Sequence, residues 1–369
     1  MGLTSKLDEW VAAGLIDGDT AARIRIHEAE SARPIWLWAI AGLGGLALVL
    51  GVIAIVAANW AEIPAGLKLG GHMLLTAFAA GFVWRGLRRK DGWTAEIALF
   101  LLSGLTLAGL ALQSQIYQLS GDLWVLLLVW LVAAGPAIVA FGQSRLTAYT
   151  LVGMTIWTVA AMASAMDGSS VPELLVQGLA IASPWALIAL VAATGARGSF
   201  AAGIEEGALV VLLPAVSIAH MAWADSVPAS DAGEMLIRFL VVIVAAGLSV
   251  VAEFRSGGLP RGLVLPLLLG PFAALFLAAC IPHSDWWLPR LIGAFIFFAM
   301  WAWIGWASMR AGWRTLFAVS VAAVAIRIFI VYFELFGTLA MTGVGLILAG
   351  ALLIGLAFAG RRVLKEMPQ

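Results

Sequence analysis

The chain of 369 residues carries 21 Lys and Arg against 21 Asp and Glu, with 63% hydrophobic and only 11% charged residues. Soluble domains run at roughly 45–50% apolar and about 25% charged, so this composition excludes a water-soluble globule and makes lipid the solvent for most of the chain. A formal charge of zero offers no basic excess to neutralise phosphates, so no nucleic-acid partner is expected; the single Cys280 excludes an internal disulfide and any multi-cysteine metal site.

Residues 1–33 precede the first long apolar run and lack the pattern of a signal peptide. Leu3, Leu7, Trp10, Val11 and Leu15 recur at helical spacing, Asp17-Gly18-Asp19-Thr20 reads as a turn and helix start, and Ala21, Ile24 and Glu28 continue a second helix. The expectation is a cytoplasmic amphipathic helical pair. It serves either as a surface for a protein partner or self-association, or as a pair resting on the lipid bilayer. Six acids against four bases in this segment argue against DNA.

A helix needs about 20 mostly apolar residues to cross the ~30 Å hydrocarbon layer. That yardstick gives an all-α polytopic bundle of about twelve spans, at 35–58, 65–84, 94–112, 122–141, 146–165, 173–194, 201–223, 234–253, 262–281, 289–308, 313–333 and 338–359. Continuous apolar runs exclude a lipid-facing barrel, which would alternate along short strands. Seventeen Trp and forty Gly suit interfacial anchoring and close helix contacts. With the N-terminus inside, 17 of the 21 cations fall on one side, leaving Lys68, Arg238, Arg290 and Arg327. Positive segments resist translocation, so both termini are expected in the cytoplasm and the protein in the bacterial inner membrane. The domain reading is 1–33, a first membrane region 34–145, a further eight-span region 146–360 and a basic cytoplasmic tail 361–369.

Pro136, Pro184, Pro214, Pro266 and Pro271 fall within spans, where each removes a backbone donor and tends to kink its helix. Such breaks build midplane sites in transporters, and they also occur in ordinary membrane helices.

The most unusual polar stretch runs from Gln113 through Ser114, Gln115, Tyr117, Gln118 and Ser120 to Asp122, where the third span emerges outside. Amides and hydroxyls near lipid are costly unless bonded, so these residues form either the lip of a ligand or ion pocket or a turn that satisfies its own backbone. In the first outer connection, Asn59 suits a helix cap, Trp60 the interface and Pro64 a helix start; Glu62 has no such structural task.

Asn59-Trp60 with Ile63-Pro64, Lys68, Glu96, the Gln115–Asp122 stretch, Trp130 and Pro136 resemble the bacterial membrane proteins grouped as domain of unknown function 2157. The N-terminal Leu7, Trp10 and Gly14-Leu15-Ile16 resemble that family's helical lead-in. The resemblance covers roughly residues 7–145 and implies topology; it implies no activity.

Arg327 is the most informative charge, because a cation central in a spanning helix costs at least ~2.5–3.5 kcal/mol on insertion scales. Ser320, Arg327 and Glu334 are spaced by seven along one helical stripe, expected to face the bundle. Arg327 then either pairs with Glu334 or another acid, or binds an anionic ligand. His72 reads as an interhelical hydrogen bonder or a proton-sensitive group, and Glu96 and Glu205-Glu206 as acids at the positive ends of their helices. Asn59, Glu62, Gln113, Gln115, Tyr117, Gln118, Asp122, His220, His283, Asp285, Arg290, Arg327 and Glu334 all map to the outer side. From these come the candidate pathway residues Asn59, Glu62, Gln113, Gln115, Tyr117, Gln118, Asp122, Arg327 and Glu334. No phosphate-cradling loop, His-Glu-x-x-His or Gly-x-Ser-x-Gly motif occurs, so neither a cofactor nor a metal is expected. The expectation is a transporter-like or channel-like protein for a small polar, anionic or lipid-derived solute. The alternatives are a scaffold or sensor acting through residues 1–33, and an intramembrane enzyme using Asp122 and Glu334 as acid and base.

Overall fold

The computed structural model describes residues 7, 10–31, 58, 60–195, 198–226, 232–280, 287–335, 350, 355 and 362, with residues 25–31, 221–226, 232, 287–290 and 332–335 described by backbone alone. The described chain is helical and contains no strand. It divides into two compact units, residues 1–68 and 69–369.

In the first unit, a short helical stretch at residues 10–12 ends where Gly14 adopts φ 68°, with Leu15 N–H donating to the Trp10 carbonyl at 2.9 Å. The next helix, α1 (Gly18–Ser31), is capped by Asp17, which accepts from Thr20 N–H at 2.9 Å. The expected helical pair is thus visible in these residues. Farther along, the Lys68 ammonium lies 4.4 Å from the Trp60 ring centroid, an arrangement that holds a cation at an aromatic anchor.

Among the described residues, ten helices are long and apolar enough to cross a bilayer: α2 (Ala65–Arg89), α3 (Gly92–Ile116), α4 (Leu123–Phe141), α5 (Arg145–Ser164), α6 (Val171–Thr194), α7 (Ser199–Ser226), α8 (Ala232–Ser256), α9 (Arg261–Ala279), α10 (Trp287–Arg310) and α11 (Arg314–Leu335). They match ten of the twelve expected spans; the first, 35–58, and the last, 338–359, lie outside the described residues but for Ala58, Gly350 and Gly355. Their outward faces carry Phe78, Phe82, Leu248 and Phe295, all strongly exposed. Such apolar surface is stable only against lipid.

Between α2 and α3, Asp91 caps α3 by accepting from the Thr94 hydroxyl at 2.6 Å and the Thr94 N–H at 3.2 Å. These bonds hold the Asp91 carboxyl below the usual carboxylate range. The cap is therefore intact at and above that range and is lost only as pH falls through the lowered value.

Two larger apolar cores organise the second unit, with a smaller third of Ala148, Val152, Val191, Ala201 and Ile204. Leu99, Leu127, Trp130, Ile138 and Met154 form one, among α2–α5. Trp185, Leu212, Val242, Leu263, Leu267, Phe297 and Ile304 belong to the other, among α6–α10. Each of the larger two is pinned by a buried indole. Trp130 donates to the Ser103 carbonyl of α3 at 2.7 Å, and Trp185 to the Leu268 carbonyl of α9 at 2.8 Å.

Helix α8 packs chiefly against α6 rather than against α7, which precedes it in the chain. The contact is close because Gly178 lacks a side chain: a Cβ there would stand 2.7 Å from the Arg238 carbonyl oxygen. Pro136, Pro184 and Pro214 lie inside helices that continue past them. Pro266 and Pro271 behave differently. Residues Leu265–Leu269 of α9 form a π-helical turn in which Gly270 N–H reaches the Leu265 carbonyl, the wider turn accommodating donors that proline lacks.

Gly178→Ala should lower the thermal midpoint by the equivalent of about 1–3 kcal/mol through overpacking, whereas Gly104→Ala, which meets open space, should leave it unchanged or raise it. Trp185→Phe keeps most of the apolar volume but removes the donor to Leu268, and should cost about 1 kcal/mol in the same melt.

Candidate functional site

The polar stretch expected at a pocket mouth forms the end of α3 and the turn into α4. Tyr117 N–H donates to the Gln113 carbonyl at 2.9 Å, Leu119 N–H to the Ser114 carbonyl at 3.0 Å, and the Ser114 hydroxyl to the Leu119 carbonyl at 3.1 Å, with Gln118 at φ 50°. Asp122 precedes α4 without capping it through its side chain and accepts from the Trp124 indole at 3.2 Å. The turn satisfies its own backbone, while Gln113, Gln115, Tyr117, Gln118 and Asp122 are exposed. In the first unit Glu62 is exposed, and Asn59 lies outside the described residues.

Arg327 stands in a different setting. It is fully buried, its guanidinium 6.0 Å from the Phe297 ring centroid of α10. His220, near the end of α7 and 2% exposed, lies edge-on to the same ring at 6.2 Å, and neither of its nitrogens meets a hydrogen-bond partner among the described residues. Beside it, Trp301 donates to the Ser217 hydroxyl at 3.1 Å. Ser320 is buried one stretch earlier on α11, so Ser320 and Arg327 do share an inward stripe. Glu334 falls in the last turn of α11, and its side chain lies outside the described residues, as do His283 and Asp285 and the Arg290 side chain. The structure thus brings Arg327 together with His220 and Phe297, a grouping the sequence could not give because the three sit on α11, α7 and α10.

Three cavities, of ≈ 750, ≈ 330 and ≈ 190 Å³, are lined by other residues. The largest of these is an apolar groove between α6 and α8, running along Ala186, Leu190, Leu240 and Leu248 to Arg255. Among the described residues, no three His, Cys, Asp or Glu side chains are placed to hold a metal ion.

At the opposite ends of the helices, several acids serve purposes other than the one expected of them. Glu96 is buried, and α3 carries no acid in its first turn. Its carboxylate instead accepts from Gln143 N–H, the Ser144 hydroxyl and the Thr147 hydroxyl, the last at 2.7 Å, while the Ser199 hydroxyl donates to the Gln143 carbonyl. One carboxylate thus ties α3 to the α4–α5 connection, and a serine adds the start of α7. Glu205 and Glu206 also lie beyond the first turn of α7, which begins at Ser199. Glu206 pairs with Arg145 at 2.9 Å and accepts from the Tyr149 hydroxyl at 2.9 Å. For Glu96 and Glu206 the dipole explanation is therefore replaced by specific partners. His72 packs against α3, where a Cβ at Gly109 would stand 2.4 Å from its Nε2, and Thr76 donates its hydroxyl to the His72 carbonyl at 2.9 Å.

Sequence reasoning did not single out Gln177 or Glu253. Gln177 donates to the Met166 carbonyl at 3.0 Å and accepts from Arg238 Nε at 2.9 Å, while Arg238 also reaches Glu234 at 3.4 Å. An amide at mid-helix was the available signal. Arg238, one of the four cations that the sequence reading left off the cytoplasmic side, has its partners on α6 and on its own helix.

With this geometry in view, comparison places the first part of the chain. Residues 8–148 match the family model described as Predicted membrane protein (DUF2157), in agreement with the resemblance carried by the Asn59–Pro136 motifs. The match covers the N-terminal helical segment and the helices through α4 into the start of α5. No match was found among curated proteins or among solved structures. The chain is a membrane-embedded multi-helix protein, and the description of the family model that matches residues 8–148 names no activity.

Glu96→Ala should leave the Gln143 N–H and two hydroxyls without their acceptor and cost about 1–3 kcal/mol per buried group left unsatisfied. Denaturation of the detergent-solubilised protein reads this directly, with Glu96→Gln retaining part of the loss.

Proposed function

We propose that the protein is a transporter-like or channel-like component of the bacterial cytoplasmic membrane, with twelve spans and both termini inside, that handles a small polar, anionic or lipid-derived solute from the outer side. The observation that supports this reading is Arg327, a fully buried cation in an apolar helix, set across Phe297 from a buried His220. Ionisable groups inside a membrane bundle are expensive, and they typically mark solute or ion pathways.

In this reading Arg327 balances the negative charge of the solute, and His220 supplies a ring nitrogen as donor or acceptor. Gln113, Gln115, Tyr117, Gln118 and Asp122 form a polar outer approach, Asn59 and Glu62 are separate candidates of the first unit, and Glu334 pairs with Arg327 when no solute is bound. The π-helical turn of α9 adds support, because interrupted helices of this kind recur where transporters bind their cargo.

The test is uptake by the full chain reconstituted in phospholipid vesicles, using panels of small anionic, neutral and cationic solutes. Wild type should accumulate an anionic or polar member of the panel. Arg327→Gln should reduce its uptake at least tenfold while the thermal midpoint stays within a few degrees, and Arg327→Lys should retain part of it. Undiminished uptake in a folded Arg327→Gln protein would remove Arg327 from the pathway, and no uptake of any solute by wild type would remove the transport reading.

A further inference from the structure

The inner ends of α7 and α8 bring together two carboxylates, Glu205 and Glu253. Glu253, one turn from the end of α8, is 1% exposed. Its Oε2 accepts from Leu259 N–H at 2.9 Å, and its Oε1 is buried without a hydrogen-bond partner among the described residues. Glu205 of α7 converges on the same place. A Cβ at Gly258 would stand 3.0 Å from Glu253 Oε2 and 3.1 and 3.2 Å from the two carboxylate oxygens of Glu205. Only a residue without a side chain leaves this space open between the two acids.

Access is one-sided. Glu205 lines the ≈ 190 Å³ cavity, together with Gly195, Gly198, Ser256, Gly257 and Gly258, whereas Glu253 stands behind that wall. A cavity of this size admits several waters at a polar, glycine-walled mouth. The charged groups on neighbouring elements do not neutralise the pair. On α7, Glu206 is engaged by Arg145 and Tyr149 of α5. On α8, Arg255 lines the apolar groove, and Arg261 at the start of α9 is exposed. Helix α6 ends nearby in Thr194 without a titratable group, and Arg197 lies outside the described residues.

We propose that Glu205 and Glu253 form a proton-binding site in which the two carboxylates hold a single proton, loaded from water in the Gly198–Gly258 cavity through Glu205. Two neighbouring carboxylates in a low-dielectric site resist ionising together, and the shared proton turns one of them into a donor for the other. Glu253 Oε2 shares the Gly258 gap with the Glu205 oxygens, and Oε1 of the same carboxyl is buried without a hydrogen-bond partner among the described residues. Loading moves a proton from hydronium to Glu205 and leaves water; no other reactant takes part. The site lies on helices remote in sequence from Arg327 and stands independently of whether any solute crosses the membrane.

The experiment is pH-difference infrared spectroscopy of the full chain in phospholipid vesicles, read in the carboxylic-acid carbonyl region. Wild type should show one protonated carboxyl per chain at neutral pH that is lost on alkalinisation. Glu205→Gln and Glu253→Gln should each abolish that band or move its midpoint down by about one pH unit, a tenfold change in proton affinity. Glu206→Gln should move it less. Absence of a neutral-pH carboxylic band in wild type would overturn the proposal without any variant having to fold. A band that persists unshifted in both Gln variants would do the same, as would its displacement by sodium ions at constant pH, which would make the pair a metal-cation site.

Discussion

The structure depends on the absence of water from the hydrocarbon layer. A backbone or side-chain polar group placed there must find its partner within the protein, since an unsatisfied one costs several kcal/mol. Helices answer for the backbone. The side chains answer through a small set of long-range bonds: Trp130 to the Ser103 carbonyl, Trp185 to the Leu268 carbonyl, Trp301 to the Ser217 hydroxyl. Each joins two helices at a fixed register, which apolar packing alone, equally favourable against lipid, would leave free to slide.

Against that background, the buried ionisable groups fall into two kinds. Glu96, Glu206 and Arg238 have their hydrogen-bonding capacity taken up by neighbours and serve as ties between helices. Arg327 with His220, and Glu205 with Glu253, occur instead as pairs on different helices, and His220 and Glu253 each have a buried polar atom that the described residues leave without a hydrogen bond. The ties cluster where helices enter and leave the bundle. The second kind lies among α7–α11, beyond the residues that match the family model.

The sequence made the architecture legible because hydropathy over 20 residues measures the same quantity that lipid does, and ten expected spans coincide with described helices. The start of the N-terminal helix α1 was equally readable from Asp17-Gly18-Asp19-Thr20. Site geometry was less accessible. Charge patterns along one helix could place Ser320 and Arg327 on a common buried stripe, but nothing local joins residue 220 to 297 and 327, or residue 205 to 253 and 258. Glu96 misled for the same reason: its position near a helix start suggested a dipole effect, whereas its partners lie 47 to 51 residues away. Polar residues in the Gln113–Asp122 stretch drew attention by composition, and their backbone bonds turn out to close a tight turn.

The helices are held to face lipid with apolar side chains such as Phe78, Phe82, Leu248 and Phe295 while Trp185, Phe297 and Arg327 are buried among them. Crosslinking from photoactivatable acyl chains in reconstituted vesicles, mapped by mass spectrometry, tests this most directly. The predicted result is labelling of the first set with none on the second. Labelling at Trp185 or Phe297, or an unlabelled Phe78, Phe82, Leu248 and Phe295, would contradict it.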